Sequence, residues 1–149
     1  EIGRFWGRST IALAHMLKES GSGKLVSMDT YEQPHFREIL SSHGLSEYVE
    51  VWNGFSQAGY SKWEIMMPEE KPGMVFIDGN HTYEGAYMDI LQWSRLLPPE
   101  GILVVDDYDQ YNSGVILAVN ELIVWSENFH TLELTGKLFV ARKKTGCKL

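Results

Sequence analysis

One cysteine, Cys147, occurs in the 149 residues. No disulfide can close within the chain, and a reducing, cytoplasmic setting is expected. Positive charge is also scarce: 13 Lys and Arg stand against 20 Asp and Glu, a formal net charge of −7. A nucleic-acid partner held by bulk electrostatics is therefore not expected. No apolar run is long enough to span a bilayer and no signal-peptide pattern opens the sequence, so no membrane partner is expected. Internal repeats and low-complexity segments are missing as well.

Apolar residues make up 44% of the chain, enough to build a core. The length suits one domain over residues 1–149. Glu1 is not an initiator methionine, and Glu1-Ile2-Gly3 reads as the end of a strand, so upstream residues are expected in the natural protein. A homo-oligomer is compatible with the sequence.

Strand and helix patterns alternate. Ser9 reads as an N-cap, and Thr10 to Glu19 carries Ile11, Leu13, Ala14 and Leu17 at helical spacing. Lys24 to Met28 reads as a strand stopping at Asp29. A helix begins near Pro34 and runs to His43, closed by Gly44. Tyr48 to Trp52 is a short strand, and Ser56 to Met67 a helix stopped by Pro68. Met74 to Ile77 is a strand. Tyr83 to Leu97 is a helix with Ala86, Ile90, Trp93 and Leu97 in one stripe. Ile102 to Val105 is a strand, and Gly114 to Phe129 a helix. Thr131 to Leu134 and Leu138 to Lys143 form a hairpin turning near Gly136. The repeated βα units predict a Rossmann-like, doubly wound, mostly parallel sheet, closed by a C-terminal antiparallel hairpin strand.

Two strands end in acid. Met74-Val75-Phe76-Ile77 runs into Asp78, and Ile102-Leu103-Val104-Val105 into Asp106-Asp107. Ligands gather outside the carboxyl ends of parallel strands, so these three carboxylates are placed to converge. Together they repel unless something positive lies between them, and a divalent cation is the candidate.

The turn from Glu1 through Gly3 and Gly7 to Ser9-Thr10 lets the backbone approach a ligand, with a helix N-terminus behind it. A plain tight turn accounts for the glycines equally well. The dinucleotide fingerprint needs a third glycine, but Phe5 and Arg8 stand in the candidate positions, which argues against NAD. Asp29, followed by Thr30, stands where an acid commonly accepts hydrogen bonds from ribose; a solvated or capping aspartate is the other reading. Gly54 and Ser56 are placed to face an adenine, and a simple N-cap at Ser56 explains them equally.

With Glu1-Ile2-Gly3 to Gly7, Asp29, Pro99-Glu100-Gly101-Ile102 and Phe76-Ile77-Asp78-Gly79-Asn80-His81-Thr82-Tyr83-Glu84 in this order, the chain resembles the class I S-adenosylmethionine-dependent methyltransferases. Within them it resembles a bacterial subgroup with sugar- and catechol-type O-methyltransferases. The resemblance implies S-adenosylmethionine as cofactor, held by Glu1, Gly3, Gly7, Ser9, Asp29, Thr30, Gly54, Ser56 and Asp78. It implies a metal site at Asp78, Asp106 and Asp107, an oxygen-only set suited to Mg²⁺. The implied reaction is methyl transfer to a hydroxyl of a small-molecule or sugar-like acceptor. Where the sugar-type relatives carry a second acid proposed as a base, this chain has Asn80. Its neighbour His81 is the alternative base, since imidazole can accept a proton near neutral pH; Asp78 is the second catalytic candidate. Two other readings stay open: an NAD(P)-dependent enzyme of this architecture, and a catalytically silent nucleoside-binding module of a larger protein.

Overall fold

The computed structural model describes residues 1–146; Cys147 lies outside them. The elements in chain order are α1 (Arg8–Ser20), β1 (Leu25–Asp29), α2 (Phe36–Ser42), β2 (Val49–Asn53), α3 (Ser56–Met66), β3 (Met74–Ile77), α4 (Tyr83–Leu96), β4 (Ile102–Val105), α5 (Ser113–Val119), β5 (Phe129–Thr135) and β6 (Leu138–Lys143). β1 pairs with β2 and β3 with β4, both in parallel. β6 pairs antiparallel with β4 and β5 antiparallel with β6. The two halves meet at Ile2, which bridges Met28 at the end of β1 and Ile77 at the end of β3. The Rossmann-like fold predicted from the βα alternation is the one observed, including the hairpin that closes it.

Each face of the sheet has its own core. Leu25 and Val49 pack with Ala14, Phe36, Leu40 and Leu45 from the α1 and α2 side. Met28, Trp52, Val75, Ile77, Leu103 and Val105 pack with Trp63, Ile90, Trp93, Val115 and Ala118 from α3, α4 and α5. The one-residue alternation along a strand sends Leu25 to one layer and Met28 to the other. Below the Ile2 bridge, between β1 and β3, a cavity of about 690 Å³ is lined by Leu25, Val26, Met74, Val75, Trp63 and Trp93. No helix of the described residues is long and apolar enough to cross a membrane.

Several boundaries differ from the sequence expectation. α1 begins after Gly7, in a left-handed conformation with φ 77° and no side-chain cap; Ser9 lies inside the helix. α2 starts only at Phe36, because His35 at φ 62° breaks the chain direction after Pro34. The expected helix to Phe129 ends much earlier. α5 stops at Val119 and continues as one π-type turn, Asn120–Val124, with Trp125 N–H bonded to the Asn120 carbonyl at 2.9 Å. Phe129 opens β5 instead.

Candidate active site

A cavity of about 450 Å³ opens beyond the carboxyl ends of β1, β2 and β3, within the range of small-ligand sites. The turn after Ile2 forms its floor. Gly3 N–H donates to the Met28 carbonyl at 2.9 Å, and Asp78 N–H donates to the Ile2 carbonyl at 2.7 Å. Gly3 has φ 90°, and a Cβ there would lie 1.8 Å from the Asp78 carbonyl oxygen. Glycine is therefore required where the turn crosses the end of β3.

Of the expected cofactor residues, Gly3, Asp29, Thr30, Gly54, Ser56 and Asp78 line this cavity. Glu1, Gly7 and Ser9 do not. Glu1 is buried beneath the turn, its Oε2 accepting from Thr10 Oγ1 and Ser27 Oγ, both at 2.5 Å. A Cβ on Gly7 would strike the Phe36 ring at 2.2 Å, so this glycine serves the packing of α1 on α2. Asp29 is held from two sides: Phe5 N–H donates to Oδ2 at 2.7 Å and Tyr31 N–H to Oδ1 at 2.6 Å. Each carboxylate oxygen keeps a further lone pair for a ligand hydroxyl. Phe5 itself sits at φ 44°, a conformation costly for a bulky residue. It forms an exposed aromatic cluster with Trp6 and Tyr31 at the cavity rim.

At the other end, Asp78, His81 and Asp107 converge, one ligating atom of each lying within 4.8 Å of the others. His81 Nε2 stands between Asp78 Oδ1 at 3.5 Å and Asp107 Oδ2 at 3.3 Å. Lys137, in the hairpin turn between β5 and β6, reaches Asp107 Oδ1 at 2.7 Å and Asp109 Oδ2 at 3.3 Å. The Lys137 carbonyl accepts from Tyr108 N–H at 2.9 Å, which fixes the turn against this loop. Asp107 has φ 57°, and aspartate tolerates that region better than most residues. Asp106 Oδ1 accepts from Asp107 N–H at 2.7 Å, and Asp106 is not one of the three residues whose ligating atoms converge, although its charge acts on Asp78. Asn80 caps the approach to α4, its Oδ1 accepting from Thr82 N–H at 2.9 Å.

The sequence reading missed two participants. Lys137 lies 30 residues from Asp107 and reaches it only through the β4–β6 pairing. Asp89, on α4, is 3% exposed and lines the cavity beside Ser56, whose hydroxyl donates to it. An acid three residues after Ala86 falls within the apolar stripe of that helix, which was the signal available.

The cavity fits a nucleoside: glycine turns on two sides, an acid at Asp29, and apolar walls at Ile2, Met28 and Phe55. The acidic cluster does not fit magnesium in the same way. Its donors are two carboxylates and an imidazole rather than oxygens alone, a mixed set foreign to a hard cation. The Lys137 ammonium already neutralises Asp107.

A family model described as methyltransferase domain matches residues 1–108. The chain belongs to this methyltransferase family. No curated protein sequence matches the methyltransferase chain. Solved structures that share its fold include three O-methyltransferases. An O-methyltransferase from Bacillus cereus, determined with SAH, is 21% identical with a TM-score of 0.77, over 96% of this chain and 72% of that one. TomG from Streptomyces achromogenes, an O-methyltransferase of tomaymycin synthesis determined with SAM, is 23% identical with a TM-score of 0.72, over 97% and 71%. CalS11, a TDP-rhamnose 3'-O-methyltransferase of calicheamicin biosynthesis, is 14% identical with a TM-score of 0.76, over 98% and 71%. The comparisons thus support the methyltransferase expectation and give none to an NAD(P)-dependent enzyme.

Two acids give this methyltransferase a pH-dependent stability. Asp78 is pushed up to about 6, first by burial and then by Asp106, with His81 acting in the opposite direction. Burial also pushes Asp89 up to about 6, against the Ser56 hydrogen bond. An unfolded aspartate titrates near about 3.9, so between about pH 4 and pH 6 the folded chain binds more protons. The contribution of these groups is full below about pH 4 and is lost as pH rises through about 6. Denaturant melts across that window are expected to show this decline. The slope should be shallower in Asp89→Asn; an unchanged slope would remove Asp89 as its source.

Proposed function

We propose that the chain transfers a methyl group from S-adenosylmethionine to a hydroxyl of a small-molecule, sugar-like acceptor, as a single catalytic domain. One juxtaposition carries this reading: the nucleoside-shaped cavity at Asp29 and Gly3 runs directly into the Asp78–His81–Asp107 cluster. When bound, the cofactor supplies a methyl carbon already activated by its sulfonium. The protein's part is alignment, exclusion of water and management of one proton.

Asp29 is placed to accept from ribose hydroxyls, and the first turn of α3 at Ser56 and Gln57 to meet the base. His81 is the base for the acceptor hydroxyl. Its Nε2 faces two carboxylates, which favours the tautomer with the proton on Nε2 and the lone pair on Nδ1. Uptake of the hydroxyl proton gives an imidazolium, which Asp78 and Asp107 stabilise. Lys137 keeps Asp107 from adding an unbalanced negative charge. Asn80 takes no part in the proton transfer. No step is routed through a metal: Lys137 supplies the positive charge beside Asp107, and His81 becomes positive only when it takes the hydroxyl proton.

Calorimetry of the intact chain with S-adenosylhomocysteine tests the cofactor, with binding in the micromolar range expected; neither heat nor a thermal shift would sink the reading. Transfer of labelled methyl groups to a panel of nucleotide sugars and catechols, with and without chelator, tests the rest. Activity is expected to hold within about twofold in chelator; its disappearance there, with recovery on adding a divalent ion, would restore a metal to the site.

A further inference from the structure

His81 and Asp107 stand on different loops. His81 follows β3 and Asp107 follows β4, yet His81 Nε2 lies 3.3 Å from Asp107 Oδ2. Loops of this kind are the mobile parts of a fold, so something must hold the two in register. One element touches both. At its start, α5 crosses the backbone that leads into α4: a Cβ on Gly114 would lie 2.7 Å from the His81 carbonyl oxygen and 2.5 Å from the Tyr83 nitrogen. At its far end, the π-type turn Asn120–Val124 presents two neighbouring side chains. Asn120 Oδ1 accepts from the Tyr108 hydroxyl at 3.0 Å, and Glu121 Oε2 accepts from the Tyr83 hydroxyl at 2.7 Å. Tyr108 directly follows Asp107, and its ring centroid lies 5.1 Å from that of Phe139. Tyr83 opens α4 just after His81 and Thr82. Turns with five-residue hydrogen bonding are rare in helices and frequent at functional sites.

We infer that Asn120 and Glu121 are positioning residues: through Tyr108 and Tyr83 they brace the Asp107 and His81 loops against each other, so that the imidazolium forms beside its carboxylate. The inference rests on His81 as the base of the proposed transfer. Consecutive helix positions point about 100° apart, so one turn can reach two loops. Each phenol has a single proton to give, and each is given to one acceptor at the helix end. The Lys137 ion pair ties Asp107 to the β5–β6 hairpin; it does not tie Asp107 to His81. Neither Asn120 nor Glu121 lines the cofactor cavity or belongs to the converging group. Replacing them therefore acts on rate through geometry, and a displacement of about 1 Å between reacting groups is enough to cost about 10²-fold.

Transfer of labelled methyl groups to the best acceptor of the panel above, run beside calorimetry with S-adenosylhomocysteine, tests this. Asn120→Leu and Tyr108→Phe are each expected to lower kcat by about tenfold, and Glu121→Leu and Tyr83→Phe by about fivefold, with S-adenosylhomocysteine affinity held within about twofold. Within each pair the double variant should lose no more than the worse single variant, because both changes break the same bond. Asn120→Asp and Glu121→Gln keep an acceptor oxygen and are expected to stay within about threefold of the wild-type rate. Loss of packing alone would add in the double variants and would not be recovered by these conservative replacements. Tyr108→Phe and Tyr83→Phe remove only a hydroxyl, and they keep the question measurable where a leucine variant fails to fold. Rates within about twofold of wild type in both phenylalanine variants, or losses that add within a pair, overturn the inference. A wild-type chain that binds no S-adenosylhomocysteine, or binds it and methylates no acceptor, overturns the transfer reading and this inference with it.

Discussion

Replacing Gly3 with alanine is expected to destabilise the chain by about 4 kcal/mol or more, at the far end of single-substitution effects, and to abolish cofactor binding. Two costs combine. The backbone at φ 90° disfavours any L side chain, at about 1–3 kcal/mol. The added methyl would also sit 1.8 Å from the Asp78 carbonyl oxygen and 2.4 Å from its carbon. Those are backbone atoms at the end of a central strand, so no side-chain rotation relieves the clash. The turn must lift, and the hydrogen bonds from Asp78 N–H to Ile2 and from Gly3 N–H to Met28 are lost with it. These bonds join the two halves of the sheet.

Gly136→Ala supplies the control. Gly136 has φ 61°, but a Cβ there meets nothing within 4 Å, so it bears only the backbone cost of about 1–2 kcal/mol. Thermal melts and calorimetry with S-adenosylhomocysteine separate the two. A fall in Tm of about 10 °C for Gly3→Ala is expected, against a few degrees for Gly136→Ala. Equal falls would mean that the close approach of the turn to β3 is not what holds the site.

The fold was legible in the sequence because its signals are local. Met74–Ile77 and Ile102–Val105 are apolar runs bounded by glycine and acid, Leu138–Lys143 is an alternating run just after the Gly136 turn, and their limits match the structure. The long helix after Gly114 was misread at its end because Leu122 and Ile123 continue the apolar periodicity through the π-type turn. Periodicity does not show a change from four-residue to five-residue hydrogen bonding. The site was legible at its strand ends, Asp29 and Asp78, and at the Gly54–Ser56 turn. What remained hidden depends on pairing across the sheet or on rotamers. Lys137 enters through the hairpin, Asp106 Oδ1 accepts from the backbone, and His81 rather than Asp106 completes the converging group. Asp89 was visible only as an acid on an apolar face, with nothing local to say that the face meets a cavity.

Asp78→Asn is expected to lower kcat by about 10²- to 10³-fold, within the range for the loss of acid–base function, while affinity for S-adenosylhomocysteine changes by no more than about threefold. Asparagine keeps the shape of the side chain and its backbone bond to Ile2, so the turn at Gly3 stays in place. What it removes is the charge facing His81 Nε2 at 3.5 Å. Asp107, at 3.3 Å, is left to stabilise the imidazolium alone, and Lys137 already engages it. The pH profile provides the sharper readout. Asp78 is pushed up to about 6, so wild-type kcat is expected to fall as pH drops through that value and the carboxylate becomes protonated. In Asp78→Asn the part of that limb due to Asp78 should be lost from the already reduced rate, whereas a purely structural defect would scale the profile without changing its form. His81→Gln should share the loss of rate without loss of cofactor binding. A rate within about threefold of wild type for Asp78→Asn would dismiss the acid from the proton transfer. Joint loss of S-adenosylhomocysteine binding and rate would instead make Asp78 a cofactor ligand, with His81 relying on Asp107.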